Sequence, residues 1–186
     1  MPLENIKEKK QELRKIVKQE ILALSKDYCQ RADEEICKKV INLPEYQDAK
    51  SVFSFVGAKI EVNTKPLLID VLAKGKKLLV PKWISRGYME AYEIRSLEEL
   101  RPGKYGILEP YSSWSIVEPK EIELCIIPCL ACSVKGRRLG YGGGYYDRFL
   151  KRGDFMKVVL CRSRLLREDI PVGRYDVLMD KVVSEG

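Results

Sequence analysis

Apolar residues recur at helical spacing through the first part of the chain. Ile6, Leu13, Ile16, Val17, Ile21 and Leu24 fall on one face and predict an amphipathic helix over 5–25. A second helix is expected over Asp33–Asn42, stopping before Pro44 because proline disfavours helix in the residue ahead of it. From residue 51 the pattern changes. Ser51–Val56 is rich in Val and Phe and reads as a buried strand. Thr64 is placed to cap a helix reaching Leu72, with Pro66 tolerated in its first turn and Gly75 just past its end. Lys77–Pro81, Tyr88–Ile94, Ile122–Pro128, Lys157–Cys161 and the short Val182–Val183 read as strands. Ser96–Leu100 reads as one helical turn and Tyr145–Lys151 as a helix start. Between them, Pro102, Gly103, Gly106, Pro110, Ser112, Ser113 and Pro119 mark a loop.

Strands and helices therefore alternate. That order predicts a three-layer α/β/α single domain over residues 1–186 with a largely parallel central sheet. In such sheets ligands bind at the carboxyl ends of the strands. The most informative stretch of this sequence directly follows the strand expected to end at Pro128.

Composition narrows the chemistry. Hydrophobic residues make up 45% and charged residues 33%, a globular balance. No apolar window is long enough to span a bilayer. The start Met1-Pro2-Leu3-Glu4-Asn5 lacks a basic region followed by an apolar one, so a cytoplasmic location is expected. The six cysteines are then expected to be free thiols. Cys129-x-x-Cys132 reads as half a metal site, a redox pair or, the favoured reading, buried inert thiols, since the chain has no histidine to complete a zinc site. The missing histidine also removes Ser-His-Asp and Cys-His catalysis. What remains (Lys, Arg, Asp, Glu, Tyr, Cys, backbone amides, a bound ion) is the toolkit of phosphoryl transfer. The formal net charge of +7 fits either a solvated, lysine-rich surface or an anionic ligand such as a nucleotide, a polyglutamate tail or nucleic acid.

The candidate chemistry lies in Lys135-Gly136-Arg137-Arg138-Leu139-Gly140-Tyr141-Gly142-Gly143-Gly144-Tyr145-Tyr146-Asp147-Arg148. Glycines at 140, 142, 143 and 144 let the backbone approach a ligand, and successive bare N–H groups can nest an anion. Arg138 can add a forked contact to phosphate, and Asp147 can hold Mg²⁺ from the first helical turn. Neither G-x-x-x-x-G-K-[ST] nor G-x-G-x-x-G is present. The plain alternative is a glycine-rich turn between strand and helix, yet three consecutive glycines are entropically costly in a mere turn. Lys10 and Arg14, four apart at the edge of the first helix's apolar stripe, either reach into a cleft or merely snorkel.

Arg138-Leu139-Gly140-Tyr141-Gly142-Gly143-Gly144-Tyr145-Tyr146-Asp147 resembles the signature of the 5-formyltetrahydrofolate cyclo-ligase family. Lys10-x-x-Leu13-Arg14, Glu61-Val62-x-Thr64, Leu79-Val80-Pro81, Glu109-Pro110, Ile126-Ile127-Pro128 and Asp176-x-x-x-Asp180-x-Val182-Val183 follow in the family's order, so the resemblance spans nearly the whole chain. It implies conversion of 5-formyltetrahydrofolate to 5,10-methenyltetrahydrofolate with cleavage of ATP to ADP and phosphate in the presence of Mg²⁺. By the same resemblance Lys10, Arg14, Arg138, Leu139, Gly140, Tyr141, Gly142, Gly143, Gly144, Tyr145 and Tyr146 bind ATP. Asp147 and Asp176 hold Mg²⁺, while Val56, Glu61, Tyr105 and Tyr145 contact the folate. Bottom-up, Glu61 also reads as an ordinary surface carboxylate, and the Tyr145-Tyr146 pair as helix-start packing. The chain departs from the family at Ala131-Cys132-Ser133, at Cys161-Arg162-Ser163-Arg164 and at Tyr175. The expected partners are the folate and ATP, with no nucleic acid and no membrane, and the expected state is a monomer. Two rivals stand beside this reading: an ATP-dependent enzyme of the same fold with another substrate, and a non-catalytic basic binder of nucleotide or nucleic acid. The second predicts steep salt dependence, and no helix-turn-helix or RNP-type signature supports it.

Overall fold

The structure is a computed structural model that describes residues 3–103, 106–111 and 115–186, with side chains from residue 5 onward. In chain order the helices are α1 (Leu3–Ala23), α2 (Lys26–Ile41), α3 (Pro44–Asp48), α4 (Lys65–Ala73) and α5 (Tyr145–Phe149). The strands are β1 (Ser51–Ser54), β2 (Lys77–Ser85), β3 (Tyr88–Ile94), β4 (Leu100–Pro102), β5 (Leu108–Pro110), β6 (Ile116–Val117), β7 (Leu124–Ile127), β8 (Ala131–Cys132), β9 (Arg138–Leu139), β10 (Met156–Leu160) and β11 (Lys181–Val183).

Seven strands form one sheet in the order β11-β10-β7-β1-β2-β3-β6. The pairs from β11 through β2 are parallel, while β3 and β6 join antiparallel at one edge. Side-chain alternation splits each central strand between two layers. Phe53, Leu79, Cys125, Ile127 and Val159 face Leu13, Val17 and Ile21 of α1 and Phe149 of α5. Val52, Leu78, Leu124, Ile126 and Val158 face Ile36 and Val40 of α2, Tyr46 of α3, and Leu67, Leu68 and Val71 of α4. A parallel strand covered on both faces needs a continuous apolar run, which is why residues 124–127 are all buried. The expected α/β/α layering with a mostly parallel sheet is therefore present.

Several local expectations need correction. Ile16 is 52% exposed, because it lies about 100° around the helix from the Leu13–Val17–Ile21 stripe. Thr64 precedes α4, but its hydroxyl does not cap it. Instead Thr64 Oγ1 donates to the Phe55 carbonyl at 2.8 Å and accepts from the Gly57 amide at 3.1 Å, tying together the segment that leaves β1. The stretch expected to be loop between 102 and 119 contains β5 and β6, too short to register as periodicity. The hairpin of β8 and β9, and helix α3 beginning at Pro44, were equally invisible. All six cysteines are free thiols, as expected.

Candidate active site

The chain runs from β1 to β2 on one side and later returns to β7 on the other, so β1 and β7 are neighbours with diverging connections. Diverging connections leave a crevice at the carboxyl ends of the two strands. Phe55–Glu61 leave β1 there, and the glycine run follows β9 into the same place. The result is a cleft of about 1630 Å³ that also takes in Lys10 and Arg14 of α1, Trp83 and the 173–176 segment.

The glycine run is held by its acceptors. Arg14 Nε donates to the Gly140 carbonyl at 2.8 Å, and Arg148 Nη1 donates to the Gly143 carbonyl at 3.0 Å and to Gly87 at 3.3 Å. Among the described residues, no backbone N–H from Gly140 to Gly144 donates to a protein group. Gly142 and Gly144 have φ of 102° and 70°, left-handed conformations that side chains resist, which turn the loop into the cleft. Unspent donors on a fixed loop are what an anion requires. The helix that follows adds little dipole of its own: α5 has five residues before a 3-10 turn continues to Arg152.

Charged groups converge around this loop. Lys10 pairs with Asp176, whose Oδ2 also accepts from the Gly173 amide at 2.6 Å. Burial draws the Arg14 pKa down, with Arg138 adding to it and with Asp176 and Asp147 opposing. The cations of α1 thus face the cleft, and the snorkelling alternative does not describe them. Arg138 lines the cleft and is also engaged within the protein. It belongs to β9, is 9% exposed, and lies over the Tyr146 ring. Its Nη1 donates to the Pro128 carbonyl at 3.2 Å and its Nη2 to Asp147 Oδ1 at 3.4 Å, while Nε is buried without a partner. Asp147 Oδ1 also accepts from the Val177 amide at 3.3 Å. Leu139 is fully buried, its carbonyl accepts from the Leu130 amide at 2.8 Å, and it does not line the cleft.

A less polar part of the same cleft is lined by Phe55, Val56, Ile60, Trp83 and Tyr145 around Glu61. The Trp83 and Tyr145 rings meet edge to face at 6.3 Å. Burial raises the Glu61 carboxyl above the usual range, while the Ala58 amide at 2.9 Å and the Tyr141 hydroxyl restrain the shift. Glu61 is therefore no ordinary surface carboxylate. Tyr105 lies outside the described residues.

Sequence reasoning missed what holds the Glu61 turn. Arg162 Nη1 and Nη2 donate to the carbonyls of Ile60 at 3.1 Å and Glu61 at 2.8 Å. The same guanidinium grips Asp33 through Nε at 2.8 Å and Nη2 at 3.0 Å, and Asp33 accepts from the Asn63 amide at 2.9 Å. Trp83 was also missed, because β2 runs on past Pro81 to Ser85. The departures near Ser133 and Ser163 have local partners: Ser133 Oγ accepts from the Arg137 amide, and Ser163 donates to Glu185. Tyr175 lines the cleft and is 59% exposed.

Comparison with known proteins places the chain in a family. The model of the 5-formyltetrahydrofolate cyclo-ligase family matches residues 6–185. A probable 5-formyltetrahydrofolate cyclo-ligase of Schizosaccharomyces pombe is 32% identical, with 95% of each chain covered. The NMR structure of Aquifex aeolicus 5,10-methenyltetrahydrofolate synthetase superposes with a TM-score of 0.85 at 35% identity, over 95% of this chain and 89% of that one. The fold is shared with a 5,10-methenyltetrahydrofolate synthetase from Mycoplasma pneumoniae, at a TM-score of 0.78 and 23% identity over 95% and 99% of the two chains. With the match running almost end to end, this chain belongs to the 5-formyltetrahydrofolate cyclo-ligase family.

Proposed function

We propose that this chain catalyses the ATP-dependent cyclisation of 5-formyltetrahydrofolate to 5,10-methenyltetrahydrofolate, releasing ADP and phosphate. The observation that carries the reading is one cleft holding two unlike surfaces. One is the run of unspent amides from Gly140 to Gly144 beside Lys10, Arg14 and Arg138; the other is the half-buried Glu61 among Phe55, Val56, Trp83 and Tyr145. At about 1630 Å³ the cleft exceeds the roughly 300–1,000 Å³ that suits a single small ligand, so it has room for two substrates.

In this reading the glycine amides and the two α1 cations seat the triphosphate. Lys10 is a mobile point charge and Arg14 a planar fork already fixed by Gly140, so they constrain the phosphates differently. Glu61 accepts from paired N–H donors of the pterin, and Tyr145 packs beside the folate with Trp83. The formyl oxygen then stands in line with the γ-phosphate. It attacks phosphorus as ADP leaves; N10 next closes on the activated formyl carbon, phosphate departs, and the N10 proton goes to solvent. Positioning supplies most of the acceleration in such transfers. Asp147 and Asp176 offer the hard oxygen donors that Mg²⁺ takes, and Mg²⁺ there supplies charge neutralisation to the phosphate oxygens. Asp147 is paired with Arg138 and Asp176 with Lys10, so both carboxylates are held beside the glycine loop. We also propose that residues 1–186 act as one α/β domain, working as a monomer in the cytoplasm. No described helix is long and apolar enough to cross a membrane.

The test is direct turnover. Purified protein mixed with 5-formyltetrahydrofolate, ATP and Mg²⁺ should develop the near-ultraviolet absorbance of the methenyl product. Nucleotide binding without that product would move the chain to another substrate. Tight, salt-sensitive binding of nucleic acid that ignores folate would favour the basic-binder reading.

A further inference from the structure

Behind the glycine loop, three cysteines from three segments meet. Cys129 stands just past β7, Cys132 in β8 and Cys161 just past β10, and their sulfurs all lie within 4.8 Å of one another. The parallel pairing of β7 with β10 aligns Ile127 with Val159, which brings the two strand exits side by side. The tight return from β7 into β8 supplies the third thiol. Cys132 and Cys161 are buried, Cys129 is partly open to solvent, and none is in a disulfide. Cys125, buried within β7 earlier in the chain than Cys129, does not join the group.

The donor set selects the ion that suits it. Sulfur is soft and discriminates against Mg²⁺ and Ca²⁺. Structural zinc takes four protein ligands, and among the described residues no carboxylate or fourth thiol completes this group; the chain has no histidine. Three sulfurs leave zinc one ligand short but form a complete trigonal shell for a soft monovalent cation. With metal–sulfur bonds near 2.3 Å, sulfurs of a trigonal shell stand about 4 Å apart, which a group lying within 4.8 Å can meet.

We propose that Cys129, Cys132 and Cys161 form a three-sulfur site for Cu(I). The ion enters at the exposed side of Cys129. Thiol protons pass to solvent as copper–sulfur bonds form, and copper remains Cu(I) throughout, so no electrons are exchanged. Cys132 is the register partner of Arg138, so the bound ion ties the hairpin that leads into the glycine loop to the exits of β7 and β10. A ligand that binds only the folded chain stabilises it in proportion to its occupancy.

The experiment uses the full chain, reduced and kept anaerobic. Cu(I) is presented as its coloured bathocuproine disulfonate complex, and loss of colour counts the ions transferred. One ion per chain is expected, with a rise in thermal midpoint. Cys129→Ser, a near-isosteric change at the open ligand, should weaken uptake by roughly a hundredfold, whereas Cys29→Ser leaves it unchanged. On the unaltered protein, bound copper should protect Cys129 from iodoacetamide and leave Cys29 reactive. Uptake that survives Cys129→Ser, zinc that displaces the copper, or alkylation of Cys129 undiminished by copper would each overturn the proposal. None of these readouts depends on turnover, so they stand or fall apart from the catalytic reading.

Discussion

Replacing Arg162 with methionine tests the physical logic of the site most sharply. The Arg162 side chain is 4% exposed and its partner Asp33 9%. Burial alone would draw the guanidinium pKa down, but the Asp33 carboxylate more than offsets it and the net shift is upward. Methionine fills most of the volume and removes four hydrogen bonds, two to Asp33 and one each to the Ile60 and Glu61 carbonyls. Asp33 then keeps a buried charge with the Asn63 amide as its remaining donor. Breaking a buried pair on one side costs about 3–5 kcal/mol, a large share of a typical stability of about 5–15 kcal/mol. At a urea slope of about 2 kcal/mol per M, the unfolding midpoint followed by circular dichroism should fall by roughly 2 M. Adding Asp33→Asn should recover part of that loss, because the orphaned charge goes with it. Kinetically, the Glu61 turn loses its anchor while the glycine loop keeps its own. KM for the folate should rise by about tenfold, the equivalent of about 1.4 kcal/mol of lost positioning, with KM for ATP nearly unchanged. A midpoint shift below about 0.5 M would refute the energetic argument. Equal rises in both KM values would refute the assignment of Arg162 to the folate side.

Other outcomes follow from the same geometry. Asp147→Asn should keep the fold, since an amide oxygen still accepts from Val177, but lower kcat on the order of a hundredfold and weaken the dependence on Mg²⁺ in steady-state titrations. Gly144→Ala forces a side chain into a left-handed φ of 70°, costing about 1–2 kcal/mol, and should raise KM for ATP more than KM for folate. Glu61→Gln should raise the folate KM by about ten- to a hundredfold through loss of a charge-assisted contact. It should also stabilise the protein at neutral and alkaline pH. The folded-state pKa of Glu61 is raised, so its contribution favours folding below the ordinary glutamate range and is lost as pH rises through the raised value; glutamine has no such loss. Thermal melts of both proteins between pH 4 and pH 9 would read this, and parallel curves would contradict it.

The layered fold was legible because its signals are local. The 13–17–21 stripe of α1 and the apolar runs at 51–54, 124–127 and 156–160 carry their own periods, and strand alternation sorts them between two layers without reference to distant contacts. Short elements were lost for the converse reason: β5, β6, β8 and β9 have two or three residues each, and pairing partners define them.

The sequence by itself pointed to a loop suited to an anion, because glycine readily takes the left-handed φ found at 142 and 144 and Arg138 and Asp147 stand close on either side in the chain. Only the tertiary structure decided what those groups do with one another. Chain folding buried Arg138 in a strand against Asp147 and Pro128, set Arg162 against Asp33 from 129 residues away, and turned Glu61 inward on that support. It also gathered Cys161 to the Cys129–Cys132 pair. A residue's type and near neighbours fix its local conformation and chemical capacity. Its burial and its partners depend on which distant segments the sheet order places beside it.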